Sequence, residues 1–258
     1  MLANTSDFDP KTDAVPVEDL ASADKYMLAQ FNQFVESVKG HYDQYDFLDI
    51  YKELMNFVIS DLSAFYLDFA KDILYIDAKD SHSRRSMQTV LYDIAAGMTK
   101  LLTPILPHTA EEIWPFLKEP EDYAQLAEMP TVQHFNNEEQ LVANWDAFME
   151  LRSDVLKSLE EARDQKLIGK ASEAKLTLYL DDKQTKLLND LDTDVRQVLL
   201  VSGLTVASMA DAPADAENFN DGVAVVVAEA DGEVCERCRM TRETVGDDKD
   251  YPHFCDRC

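Results

Sequence analysis

The chain has 258 residues, and 50 acidic against 24 basic side chains give it a formal charge of −26. An excess of that size repels phosphate, so it excludes broad nonspecific nucleic-acid binding and confines any RNA contact to local basic patches. The longest apolar runs are far too short to span a bilayer, and the length suggests two or three compact units.

The first twenty residues carry Asn, Ser, Asp and two Pro and read as an irregular lead-in. From Ser22 the spacing of Met27, Leu28, Phe31, Phe34, Val35 and Val38 predicts a helix, interrupted at Gly40 and the HYDQYD stretch. A longer helix follows. Phe47, Ile50, Tyr51, Leu54, Phe57, Val58, Leu62, Phe65, Tyr66, Phe69, Ile73 and Leu74 keep the same period over nearly thirty residues. So wide a stripe predicts a helix at the centre of a bundle, with its aromatics in the core. A polar break, AKDSHSRRS, separates it from a third helix faced by Met87, Val90, Leu91, Ile94, Met98, Leu101 and Leu102.

Pro104 and Pro107 end or kink that helix. Thr109 with Glu112 reads as a capping box, which places Trp114 early in the next helix and in the core. Pro120 and Pro130 mark loops. Another long helix is predicted from about Glu138 to Gln165, with Leu141, Trp145, Phe148, Met149, Val155, Leu156 and Leu159 on its face.

At Gly169 the period changes. Leu176, Leu178 and Leu180 alternate with Lys175, Thr177 and Tyr179, the pattern of a strand. DDKQTKLLNDL reads as a short helix capped by Asp181 or Asp182, VRQVLLVSGLTVASM as a helix end and a strand, APADAENFNDG as a loop, and GVAVVVAEA as a strong strand. The expected fold is mainly α. A helical bundle over residues 1–168 precedes a small α/β unit over 169–232 and a zinc ribbon or knuckle over 233–258.

All four cysteines lie in the last 24 residues, CERCRMTRETVGDDKDYPHFCDRC. Cys235 and Cys238 form one CxxC and Cys255 and Cys258 another, with sixteen residues between the pairs. Two such knuckles can bring four thiolates to the corners of a tetrahedron, the geometry Zn²⁺ prefers. A disulfide framework would need an oxidising compartment, and nothing at the N-terminus looks like a secretory signal. A redox CxxC normally stands alone. His253 is an alternative fourth ligand. Four thiolates leave no position for water, so such a zinc organises the chain and does no chemistry, and its binding is coupled to folding of the segment.

Charge is distributed unevenly. Residues 197–236 hold no Lys or Arg, whereas Arg152 to Lys186 and the segment after Glu236 are nearly balanced. There is no Gly-rich phosphate loop, no GxSxG and no HExxH, and the five histidines (His41, His82, His108, His134 and His253) are scattered. The residues alone therefore describe a binding or structural module with zinc and no catalytic site.

Three stretches together resemble a known family. They are NTSDFDP (Asn4 to Pro10) leading to a helix at DKYML, then DLSAFYLDFAKDILYIDAKDSHSRRSMQTVLYDI running into LLTPILPHTAEEIW, and finally EARDQKLIGKASEAKL with the terminal double CxxC. In order and spacing they resemble the C-terminal portion of bacterial isoleucyl-tRNA synthetase, a class I enzyme, over essentially the whole chain. The DLSAFYLD and PILPHTAEEIW stretches are shared in style with the valyl enzyme. IGKASEAKL and the double CxxC favour the isoleucyl member. Arg239 stands where that family often has Trp, and Tyr251 where His-Pro is common.

The resemblance implies a helical anticodon-binding domain and a C-terminal unit that together hold the anticodon stem-loop of isoleucine tRNA. It also implies a monomeric, cytoplasmic isoleucine–tRNA ligase whose ATP-dependent activation and editing domains lie upstream of Met1, so that this stretch alone is inactive. One structural Zn²⁺ would sit on Cys235, Cys238, Cys255 and Cys258. Candidate tRNA contacts are Arg84 and Arg85 in the polar break, Lys170 and Lys175 at the helix-to-strand junction, and Arg237, Arg239 and Arg242 beside the knuckle. For each, the competing reading is a solvent-exposed charge or an ion pair within the protein. Two other functional readings stand beside this one: an acidic, zinc-stabilised protein-interaction module without RNA affinity, and the equivalent region of a valyl or leucyl enzyme.

Overall fold

A computed structural model describes residues 1–214, 216–219 and 222–258. It divides into two compact units, Met1–Glu139 and Gln140–Cys258.

The first unit is helical. Helix α1 (Ser22–Asp43) buries Met27, Leu28, Phe31, Phe34, Val35 and Val38, the stripe its 3.6-residue period aligns. It runs through Gly40 and does not break there. A mid-helix glycine costs about 1 kcal/mol. The Tyr42 hydroxyl offsets that cost by donating 2.6 Å to the Leu101 carbonyl, which ties the last turn down. Helix α4 (His82–Leu102) packs along α1, burying Met87, Val90, Leu91, Ile94, Met98 and Leu101. The two helices meet closely at Gly97, where an added Cβ would sit 2.6 Å from the Phe31 ring. Ser81 caps α4 by accepting from the Arg84 amide at 3.3 Å. The polar break is therefore shorter than expected, and Arg84 and Arg85 lie in the first turn of a helix.

The long second helix is continuous but not uniform. Residues Phe47–Asn56 form α2, Phe57–Tyr66 are π-helical, and Leu67–Ile76 form α3. Asp46 caps α2, accepting from the Asp49 amide. Within the π segment the hydrogen bonds widen from i→i−4 to i→i−5, so a stripe laid out at 3.6 residues per turn falls out of phase. Phe65, Tyr66, Phe69, Ile73 and Leu74 stay in the core. Phe47 and Tyr51, expected there too, are 52% and 59% exposed.

The lead-in is pinned by its own contacts. Phe8 is 1% exposed and joins Tyr92, Ala95, Ala96, Ala110, Trp114, Leu117 and Ala124 in one apolar cluster. Trp114 is buried as expected, but it follows α5 (Pro107–Ile113) and opens a 3-10 turn. No capping box forms at Thr109. Pro107 starts the helix three residues earlier than such a box would, at the first-turn position its fixed φ suits. Trp114 itself keeps helical backbone, φ −53° and ψ −42°, and the chain tightens there into the 3-10 turn Trp114–Phe116, with Pro115 near its start, before turning extended at Leu117.

The second unit opens within α6 (Glu138–Asp164), whose residues Trp145, Phe148, Leu151, Val155 and Leu159 are buried. Leu156 of the expected face is 37% exposed. Among the described residues the chain then builds a four-stranded mixed sheet in the order β2-β1-β4-β3. Its strands are β1 (Ala174–Leu180), β2 (Gly203–Ser208), β3 (Glu217–Phe219) and β4 (Val223–Glu229). Leu176, Leu178 and Leu180 point into the core, as the alternation requires. Strands β1 and β2 are parallel, joined through α7 (Asp182–Asp190) and α8 (Val195–Val198). Asp181 caps α7, accepting from the Gln184 amide at 2.8 Å. The segment expected to be a loop contains β3, held antiparallel to β4 and tied to α6 by Ser158 donating to the Glu217 carboxylate. Asp215, Asn220 and Asp221 of that segment lie outside the described residues. Among the described residues no helix is long and apolar enough to cross a membrane.

Candidate metal centre and nucleic-acid surface

A short hairpin, β5 (Glu233–Val234) with β6 (Thr241–Arg242), carries the first knuckle at its tip. The Cys235 amide donates 2.9 Å to Met240 O, and the Arg239 amide donates 2.9 Å to Cys235 O. Arg239 takes the left-handed backbone, φ +63°, that closes so tight a turn. The second knuckle is bound to the first by the Glu236 amide donating 3.0 Å to His253 O and the Cys255 amide donating 3.4 Å to Cys235 Sγ. Arg237 reaches across to Cys258 O at 2.8 Å.

These bonds bring the four sulfurs of Cys235, Cys238, Cys255 and Cys258 within 4.8 Å of one another. His253 is exposed and outside that group. Burial opposes ionisation of Cys235, but amides at Cys238, Cys255 and Arg237 outweigh it and pull the thiol down to about 6. Burial and the neighbouring sulfurs push Cys238 up to about 11. Cys258 is driven upward by burial and by Cys255 and Cys238. One thiolate is thus prepared, and Cys238 and Cys258 resist a second negative charge. A dication would relieve that conflict, so the donor set fits Zn²⁺.

The basic candidates fall in different surroundings. Arg84 pairs with Asp7 at 2.9 Å and Arg85 with Asp13 at 3.5 Å, with side chains 15% and 19% exposed. Arg85 also donates to Asp7 O and Gln88 Oε1. Both arginines thus clamp the lead-in. Lys170 is exposed. Lys175 pairs with Asp231 at 3.2 Å, and Arg242 donates 3.0 Å to Ser202 O. Those two basic side chains line one small cleft of about 270 Å³. Arg237 lines a larger one of about 780 Å³ with Lys249, Tyr251 and Phe254. The Tyr251 and Phe254 rings are stacked, 6.1 Å apart and 10° from parallel. That aromatic pair was not among the sequence candidates. Its signal was the Tyr-x-x-Phe spacing immediately before Cys255.

Comparison with known proteins defines the class. Residues 24–178 match the model described as the anticodon-binding domain of tRNA ligase, and residues 232–258 match the zinc finger found in FPG and IleRS. The chain belongs to the anticodon-binding family of tRNA ligases, and its C-terminal segment is a structural zinc finger. Among curated relatives, it is 62% identical to an isoleucine–tRNA ligase of Lactiplantibacillus plantarum and 64% identical to one of Levilactobacillus brevis. An isoleucine–tRNA ligase of Pediococcus pentosaceus is 55% identical. All of this chain is covered in each case, but it spans only 28% of each relative's length.

Proposed function

We propose that this chain is the tRNA-binding C-terminal part of an isoleucine–tRNA ligase. In this reading it holds the anticodon stem-loop of isoleucine tRNA while a catalytic domain elsewhere in the protein attaches isoleucine with ATP. The observation that carries the reading is one chain in which an anticodon-binding helical region is followed by a finger with four converging sulfurs. Cys235, Cys238, Cys255 and Cys258 hold the zinc, which when bound supplies a rigid four-point clasp and no reactive position. Residues 1–168 form the anticodon-binding part, 169–232 the small α/β part and 233–258 the finger.

Loop bases of RNA are read by stacking and by hydrogen bonds to their edges, while Arg and Lys fix the phosphates. Lys170, Lys175, Arg237, Arg239 and Arg242 serve the phosphates. Arg84 and Arg85 contribute through whatever part of their guanidinium edges Asp7 and Asp13 leave open. The acidic remainder of the surface discourages binding elsewhere. The protein acts as a cytoplasmic monomer.

The reading is tested by measuring affinity for an isoleucine-tRNA anticodon stem-loop and for a scrambled hairpin of equal length, across a salt series. Tighter binding to the stem-loop, with log K falling linearly on log salt, is expected. Equal affinity for both hairpins would refute it.

A further inference from the structure

Helix α2 and the start of the π segment leave a row of large apolar side chains in solvent. Phe47 is 52% exposed, Leu48 64%, Tyr51 59%, Met55 37% and Ile59 54%. Their spacing puts them along one stripe of the helix, beside the face that buries Ile50 and Phe57. With these exposures the stripe presents on the order of 600 Å² of side-chain surface, at the top of what a monomer normally leaves bare. An interface between domains of one chain buries about that much or more.

The rim of the stripe says what covers it. Along the stripe itself, from Asp46 to Asp61, the chain has Asp46, Asp49, Glu53 and Asp61 but only one Lys or Arg, Lys52. Lys52 is already paired with Asp49 at 2.5 Å. Such a rim repels an RNA backbone, and it equally repels the same rim on a second copy of a chain carrying −26 charges. It suits an apolar surface edged by Lys and Arg. The relatives supply one source: this chain matches their C-terminal part and leaves 72% of their length unmatched.

Resting on the proposed function, we infer that the Phe47–Ile59 stripe is the docking face for the part of the ligase chain that precedes this one. The test is hydroxyl-radical footprinting of the full-length ligase without RNA, reading Tyr51 and Met55. Met27, fully buried, and Tyr251, 60% exposed, are the internal references. Labelling of Tyr51 and Met55 should be lost to the level of Met27. Labelling at the level of Tyr251 overturns the inference. So does protection that appears only when tRNA is added, or that fades on dilution as a dimer contact would. The hairpin assay above is independent of this readout. Lost hairpin specificity with the stripe protected leaves the docking supported and refutes the RNA reading. Free labelling with hairpin specificity intact refutes the docking alone.

Discussion

Replacing Asp24 by Asn should remove a pH-dependent weakness from the helical unit. Asp24 is 2% exposed, and its carboxylate accepts from the Tyr66 hydroxyl and the Ser86 hydroxyl, each at 2.5 Å. Ser86 in turn accepts from the Ala21 amide at 2.8 Å, so the network joins α1, the π segment and α4. Burial dominates and lifts the carboxyl from 3.8 to about 6, against the two hydrogen bonds and the attraction of His82. The folded state therefore holds this proton more tightly than the unfolded chain does. Its contribution to stability is complete below about pH 4 and is lost as pH rises through about 6. A rise of about two pKa units corresponds to about 3 kcal/mol over the whole window. A little under half of that, about 1.3 kcal/mol, falls between about pH 5 and about pH 7. Asn has the same shape and no proton to gain or lose. Urea unfolding followed by far-UV circular dichroism gives stability at both pH values for the parent and for Asp24→Asn. The parent should lose about 1.3 kcal/mol more than the variant over that interval. Parallel pH profiles for the two proteins would show that Asp24 titrates normally and that the buried-carboxylate argument is wrong.

Other perturbations act on single features. Cys255→Ser should release one zinc per chain and disorder roughly the last 25 residues, while most of the far-UV helix signal survives; metal analysis beside circular dichroism checks both halves. Asp181→Ala removes the acceptor for the Gln184 amide and should cost about 1 kcal/mol in urea unfolding. Leu91→Ala, at a site 0% exposed in α4, should cost about 2–5 kcal/mol; a loss under about 1 kcal/mol would mean that the α4 core is loosely packed.

What the sequence disclosed follows physical signals that live in side-chain order. Alternating leucines mark β1, and the double CxxC locates the sulfur cluster. The boundary of α4 was missed because Ser81 makes a cap where composition alone shows a polar run. The π segment was illegible because its cause is a shift in backbone pairing, and the apolar spacing of Phe47, Tyr51 and Phe57 looks the same either way. Strand β3 was hidden because three residues in a polar stretch give no period; it is set by pairing with β4. The pairing of Arg84 and Arg85 with Asp7 and Asp13 joins residues more than seventy positions apart, which no local pattern encodes.

The most direct test of the account is a comparison of two anticodon stem-loops with identical stems, one bearing the isoleucine anticodon and one the valine anticodon. Affinities are measured for the zinc-loaded protein at one fixed salt concentration. Clear preference for the isoleucine loop is the predicted result, and equal affinity or preference for the valine loop would contradict it.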